Sequence, residues 1–137
     1  AAAVVATIGA ALVYVACYAL WVPGFDGLRI GERMAALVPM TVSCADPLIV
    51  VAGYPEESVV LATSGRTRIV NAPGAADFLN AEGCRVAAVD RSRLSLFRQR
   101  AEDLGLDPIE RGRISGLNLR KTRTADIRLF TIGSAVR

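Results

Sequence analysis

The sequence contains no histidine among its 137 residues. That absence excludes Ser-His-Asp and Cys-His catalytic machinery, histidine metal ligands and a histidine general base. The three cysteines, Cys17, Cys44 and Cys84, form no CxxC pair and no metal-ligand spacing. A disulfide between Cys44 and Cys84 is one interpretation, but small buried thiols are the commoner state of such residues, and we expect free thiols.

Nucleotide-binding and hydrolase motifs are also missing. The chain has no GxGxxG, no P-loop, no HExxH and no GxSxG. A small nucleotide-binding enzyme is therefore poorly supported, and we expect no cofactor and no metal in this chain.

Charge is absent from the first part of the chain, since no charged residue precedes Asp26. Residues 1–22 are mostly Ala, Val, Leu and Ile, and at 1.5 Å per residue they extend about 33 Å, enough to cross a hydrocarbon core of about 30 Å. We predict a transmembrane helix over residues 1–22 that ends at Pro23-Gly24. The alternatives are a cleaved signal peptide, which should begin with Met and basic residues, and a buried core helix. Because the chain begins with Ala-Ala-Ala inside an apolar run, we expect it to be part of a longer protein.

Periodicity predicts the organisation of the remaining chain. Residues 23–40 predict a short amphipathic helix, closed by Pro39, at the membrane surface or against the domain. Residues 41–137 then predict one small α/β domain. Apolar runs at 47–53 and 85–90 predict strands buried on both faces, and the apolar spacing in residues 92–104 predicts a helix.

The order of elements predicts the fold class. The other expected elements are a helix or strand at 58–63, a strand at 67–70, a helix at 71–82 ending at Gly83, and strands at 109–119 and 126–132 joined by a polar turn. We therefore expect an α/β fold with a mostly parallel sheet and a C-terminal β-hairpin.

Acidic side chains follow the two buried strands. Glu56 and Glu57 come after the first strand and Asp90 ends the second, at the carboxyl ends where open α/β sheets bind ligands. Two carboxylates on such a loop suit a cation or a sugar hydroxyl. The alternatives are structural. In these, one Glu caps the next helix from a solvated turn, and Asp90 simply caps the helix that follows the second strand.

Positive charge is concentrated at the end of the chain. Residues 1–90 carry a net charge of −3 and residues 91–137 a net charge of +6. Arginine suits phosphate groups, so the terminal hairpin is a candidate contact for anionic lipid, or alternatively an ordinary solvated face. No aromatic residues alternate with these cations, which argues against nucleic acid. The candidate lipid contacts are Arg111, Arg113, Arg120, Lys121 and Arg123.

Several short motifs occur together in a fixed order. The first is a Gly-Tyr-x-Glu-x-Ser pattern carried by Gly53, Tyr54, Glu56 and Ser58, followed by Gly65 and Thr67. Ala75-Ala76-Asp77-Phe78-Leu79, Cys84, Phe97 and Gly116-Leu117-Asn118 come after it. Together they resemble the C-terminal region of bacterial polytopic glycosyltransferases, namely family 39, the dolichyl-phosphate-mannose protein mannosyltransferase-like proteins, and their aminoarabinose-transferase relatives. The resemblance runs from about residue 21 to residue 132.

The resemblance implies a sugar transfer from a polyprenyl-phosphate donor to a lipid or protein acceptor at the outer face of the bacterial inner membrane. This chain would supply the last span and a periplasmic accessory domain. In that family the catalytic acidic residues lie in early extracytoplasmic loops, so no catalytic residue is expected here. The candidate ligand loop becomes Tyr54, Glu56, Glu57 and Ser58, with Asp90 beside it.

The resemblance also implies the partners of the chain. They would be membrane lipid, the rest of a polytopic protein and the polyprenyl-phosphate sugar, with no nucleic acid. The alternative is a stand-alone, single-pass membrane protein whose α/β domain is a binding or assembly module.

Overall fold

A computed structural model describes residues 2–21, 29–118 and 122–133. Its helices are α1 (Ala2–Ala16), α2 (Ile30–Thr41), α3 (Glu57–Ala62), α4 (Ala72–Asn80) and α5 (Leu94–Asp103). Its strands are β1 (Leu48–Ala52), β2 (Thr67–Val70), β3 (Arg85–Asp90), β4 (Pro108–Asn118) and β5 (Arg123–Ile132). A π-helical turn, Cys17–Trp21, extends α1, and a 3₁₀ turn, Arg91–Arg93, precedes α5.

The apolar helix at the start of the chain is long enough to cross a membrane. Its 19 residues, Ala2–Leu20, have a mean hydropathy of 2.1, and the rest of the described chain buries none of them. That full exposure does not fit a core helix of this domain, so the segment is a candidate membrane anchor or signal sequence. The predicted stop at Pro23-Gly24 and the bounds at residues 1 and 22 lie outside the described residues.

The five strands form one sheet in the order β2-β1-β3-β5-β4. β1 pairs in parallel with both β2 and β3, while β5 is antiparallel to β3 and β4. The predicted mostly parallel sheet with a C-terminal hairpin is therefore confirmed. The chain moves outward from β1 to β2 and returns to β3 on the other side of β1. The helices of these two crossovers, α3 and α4, pack on opposite faces of the sheet, as the right-handed rule for parallel strands predicts.

Apolar side chains cover both faces of the sheet. On one face α2 and α3 pack through Met34, Val38 and Val59 against residues that include Val51 and Leu129. On the other face α4 and α5 pack against the alternate residues of the same strands. Phe97 of α5 contacts Phe130 of β5 there, with ring centroids 5.0 Å apart. The continuous apolar runs of β1 and β3 thus follow from burial on both faces.

Helix α2 departs from the prediction in its end. Pro39 does not close it, and the helix continues to Thr41, whose hydroxyl donates to the Val38 carbonyl at 2.8 Å. Proline lacks the backbone donor that would bond to the Ala35 carbonyl, and the helix continues for only two residues beyond it. Ile30, Met34 and Val38 are buried against the sheet, so α2 lies against the domain, one of the two predicted placements.

Other boundaries shift by a few residues. The ambiguous stretch 58–63 is helical, as α3. Helix α4 ends at Asn80 rather than at residue 82, because Ala81 already has an extended backbone with ψ 155°. β5 begins at Arg123, three residues before the predicted 126, since the hairpin pairing continues to Asn118 opposite Arg123.

The expectation of free thiols at Cys44 and Cys84 is wrong, because the two residues form a disulfide. Their Cα atoms are 6.3 Å apart, within the range that a disulfide spans. The two cysteines precede β1 and β3, and these strands are parallel neighbours, so the segments before them meet. The Leu48 amide donates to the Cys84 carbonyl at 3.0 Å in the same place.

Gly31 allows the close contact between α2 and α3. A Cβ at this position would lie 2.9 Å from the Ser58 carbonyl oxygen and 3.2 Å from the Val59 Cα. In an open helix Gly→Ala stabilises by about 1 kcal/mol, but here the methyl group meets backbone that cannot turn aside. We expect Gly31→Ala to lower the free energy of unfolding by about 1–2 kcal/mol.

Chemical denaturation in detergent, followed by circular dichroism, measures this effect. Gly9→Ala is the matched control, because nothing lies within 4 Å of its new Cβ and it sits in α1. A stabilising Gly31→Ala would contradict the close packing of α2 on α3.

Candidate functional site at the carboxyl edge

The loops that follow β1, β2 and β3 lie on one edge of the sheet, which we call the carboxyl edge. The strands that follow β1 lie on opposite sides of it, β2 on one side and β3 on the other. Sheets of this kind bind ligands at such a reversal of strand order, called the switch point, which here lies between β1 and β3. Gly53, with φ +85°, follows β1 there. A Cβ on Gly53 would be 2.7 Å from Arg93 Cγ and 3.0 Å from Asp90 Cβ, so the loops after β1 and β3 are in contact.

The structure brings three of the predicted loop residues together around one carboxylate. Tyr54 is buried in the core beneath α2 and α3, with the Glu56 carboxylate near its phenol. The Ser58 hydroxyl donates to Glu56 Oε2 at 3.4 Å, and Glu57 is exposed. Burial, together with the Glu56 carboxylate, raises the pKa of the Tyr54 phenol well above its ordinary value. The Glu56 carboxylate therefore accepts from Ser58 and lies beside the Tyr54 phenol of its own loop.

Asp90 belongs to a second cluster. It is buried, and its Oδ1 accepts from the Ser92 amide at 3.0 Å and from the Ser92 hydroxyl. Arg123 Nη2 lies 3.6 Å from the same oxygen. Asp90 thus caps the 3₁₀ turn before α5, which confirms the capping alternative. Its partners are separate from those of Glu56.

A cleft of about 310 Å³ lies beside the switch point, between the starts of α4 and α5. Gly53, Pro55, Asn71, Arg93 and Leu96 are among its lining residues. Asn71 Oδ1 accepts from the Gly74 amide at 2.7 Å and so caps α4. The Asn71 amide and the Arg93 guanidinium offer hydrogen-bond donors. The sequence patterns did not select either residue as part of a site. Each nevertheless follows a parallel strand, as Glu56 does, and that position was the reason for selecting Glu56.

A larger cavity of about 430 Å³ lies between α5 and the hairpin. Phe97, Glu102, Asp107, Glu110 and Phe130 are among its lining residues, and it contains none of the predicted site residues. In the described ranges no group of three or more Cys, Asp or Glu side chains is arranged to hold a metal ion.

The predicted basic rim divides in the structure. Arg113 forms two hydrogen bonds with Asp126, at 2.6 and 2.8 Å, and this ion pair holds the pKa of the Asp126 carboxyl below its usual range. Arg111 donates to the Thr131 hydroxyl at 3.2 Å in the half of the hairpin away from the carboxyl edge. Arg123 lies at the carboxyl edge, and Arg120 and Lys121 lie outside the described residues. Lipid contact by these residues stays a prediction.

Comparisons with protein-family models, curated proteins and solved structures find no match to this chain.

The burial of the Tyr54 phenol beside Glu56 makes the stability of the domain depend on pH in the alkaline range. Because the pKa of Tyr54 is raised in the folded state, the unfolded chain releases this proton near pH 10 while the folded protein keeps it. The free energy of unfolding therefore falls as the pH rises above about 10.

We expect Tyr54→Phe to remove this part of the alkaline loss, because phenylalanine has no proton to release, and to cost about 1 kcal/mol at neutral pH, because the polar contact of the phenol is lost. Denaturation curves at pH 7 and above pH 10 measure both effects. Tyr18→Phe in the exposed apolar helix is the control, and an unchanged alkaline slope in Tyr54→Phe would contradict the assignment.

Proposed function

We propose that this chain is the last membrane span and the accessory domain of an integral-membrane glycosyltransferase. The enzyme would move a sugar from a polyprenyl-phosphate donor to a lipid or protein acceptor. One observation carries the proposal: Tyr54, Glu56 and Ser58 of the motif lie together, with the Ser58 hydroxyl donating to Glu56 and the Tyr54 phenol beside the same carboxylate. Gly31 of α2 packs directly on this group, so the motif connects the helix that follows the membrane segment to the sheet.

The acidic groups of the site support an accessory role rather than a catalytic one. A general acid or base must be free to exchange a proton with the substrate. Glu56 accepts from the Ser58 hydroxyl, Asp90 caps a turn and Asp126 is paired with Arg113, while Glu57 is exposed. These bonds fix the loops at the carboxyl edge. We infer that the domain stabilises the enzyme and shapes its acceptor side.

The disulfide supports an extracytoplasmic location. Disulfides persist in oxidising compartments such as the bacterial periplasm and are rare in the cytosol. With α1 as an anchor, the domain would lie on the periplasmic side of the inner membrane.

Thiol trapping in growing cells tests this location. Cells are quenched with acid, and the protein is unfolded in detergent and labelled with a maleimide of high mass. We expect one labelled thiol, Cys17, before reduction and three after it. Three labelled thiols before reduction would place the domain in the cytoplasm.

A second candidate is a stand-alone, single-pass protein whose domain is a binding module. The cleft beside Gly53 and Arg93 favours it, since the cleft lies where α/β sheets bind ligands. The genomic DNA upstream of the Ala1 codon separates the two candidates. An open frame that encodes several more apolar spans supports the glycosyltransferase, and a start codon immediately upstream supports the binding module.

A further inference from the structure

The chain that follows the membrane segment enters the domain at the carboxyl edge. α2 begins at this edge, where Gly31 lies against Ser58 and Arg33 donates to the Ser115 carbonyl at 2.7 Å. Eight residue steps separate Trp21 from Arg29, which is at most about 28 Å of extended chain. α2 then runs about 18 Å away from this point, toward the opposite edge of the sheet.

On the α5 side, the two edges of the sheet present exposed groups of opposite charge. Arg91, Arg93 and Arg123 are exposed at the carboxyl edge, around the buried Asp90. The opposite edge presents Glu102 and Asp103 at the end of α5 and Asp107 after it, which are exposed and have no ion-pair partner among the described residues. Acidic groups also occur on the α2–α3 side of the carboxyl edge, where Glu32 is paired with Arg29 and the others are Glu56 and Glu57. The basic part is therefore the half beneath α5 and the hairpin.

We propose that the carboxyl edge faces the bilayer and that Arg91 and Arg93 bind the phosphate groups of anionic lipids. The proposal rests on α1 as a membrane anchor. Guanidinium groups form hydrogen-bonded pairs with phosphate, and exposed cations within a Debye length of an anionic surface are attracted to it. The acidic opposite edge is repelled by the same surface. The lipid contact thus moves from Arg111 and Arg113, which the structure engages elsewhere, to the turn before α5.

Paramagnetic relaxation tests the orientation without any substitution. The full chain is placed in lipid nanodiscs of phosphatidylglycerol and phosphatidylcholine in which some head groups carry gadolinium. We expect the Gly53 and Ser92 amides to relax at least about tenfold faster than those of Gly83 and Leu106, because the length of a strand separates the two edges by about 17 Å. Equal relaxation at both edges, or faster relaxation at Gly83, would overturn the proposal.

Charge removal tests the lipid contact. The variant Arg91→Gln/Arg93→Gln should lose the difference in Ser92 relaxation between anionic discs and purely zwitterionic discs. The matched control, Arg68→Gln/Arg98→Gln, removes two exposed arginines away from the carboxyl edge and should keep that difference. Equal behaviour of the two variants would refute the contact at Arg91 and Arg93.

Incorporation of the chain separates this proposal from the proposed function. A chain that does not enter the discs has no anchor, and both proposals then fail. A chain that enters the discs but shows the wrong relaxation pattern refutes only the orientation.

Discussion

Replacing Cys44 and Cys84 together by alanine is expected to lower the free energy of unfolding of the domain by about 4 kcal/mol. The disulfide closes a loop across a sequence separation of 40 residues, and such a closure removes about this much chain entropy from the unfolded state. It also ties the segment before β1 to the segment before β3, the two central strands. Urea denaturation in detergent, followed by circular dichroism, measures the loss.

Cys17→Ala is the matched control and should leave the unfolding curve unchanged, because Cys17 is exposed in the apolar helix segment. The unsubstituted protein in strong reductant should lose about as much stability as the double variant. Unchanged stability in the double variant would show that Cys44 and Cys84 are not bonded to one another.

Gly53→Ala is expected to lower the free energy of unfolding by about 3 kcal/mol, the second largest effect. About 1 kcal/mol comes from forcing alanine to φ +85°, and the rest comes from the clash of its Cβ with Arg93 Cγ at 2.7 Å. The loops after β1 and β3 would then separate, and the cleft at the carboxyl edge would change shape.

Gly65→Ala is the matched control, because Gly65 has φ +77° but nothing within 4 Å of its new Cβ. It should cost only the backbone part, about 1 kcal/mol. Adding Arg93→Ala to Gly53→Ala should recover most of the difference between the two variants. Equal losses at Gly53 and Gly65 would contradict the close approach of Arg93.

The elements that could be predicted from the sequence are those whose buried positions show as a pattern of apolar residues close together in the chain. β1 and β3 are apolar runs because helices cover both faces, and α5 shows its buried side as Leu94, Phe97 and Ala101. Their existence and type follow from residues that are near in sequence. The end of α2 does not follow from nearby residues. Pro39 predicts a stop, but the helix continues to Thr41, whose hydroxyl donates to the Val38 carbonyl.

The disulfide and the cleft could not be predicted, because both depend on strand order. Cys44 meets Cys84 only because β3 pairs with β1 and not with β2. Arg93 meets Gly53 for the same reason. The rule that ligands bind at carboxyl ends selected Glu56 and Asp90, but it could not show that each carboxylate has separate structural partners.

The exposed charge of the hairpin could not be predicted from its sequence either. Its sequence predicts a basic rim, yet Asp126 neutralises Arg113 through cross-strand geometry that a charge count does not contain. Arg91 and Arg93, which are exposed at the carboxyl edge together with Arg123, come from the turn before α5.

Sugar transfer is the most direct test of the proposed accessory role. The product of the whole reading frame that includes this chain, and the chain alone, are reconstituted separately in vesicles with a labelled polyprenyl-phosphate sugar and a membrane extract as acceptor. We predict that the whole product transfers label and that the chain alone transfers none. Transfer by the chain alone, or no transfer by the whole product, would contradict a glycosyltransferase whose catalytic residues lie outside this domain.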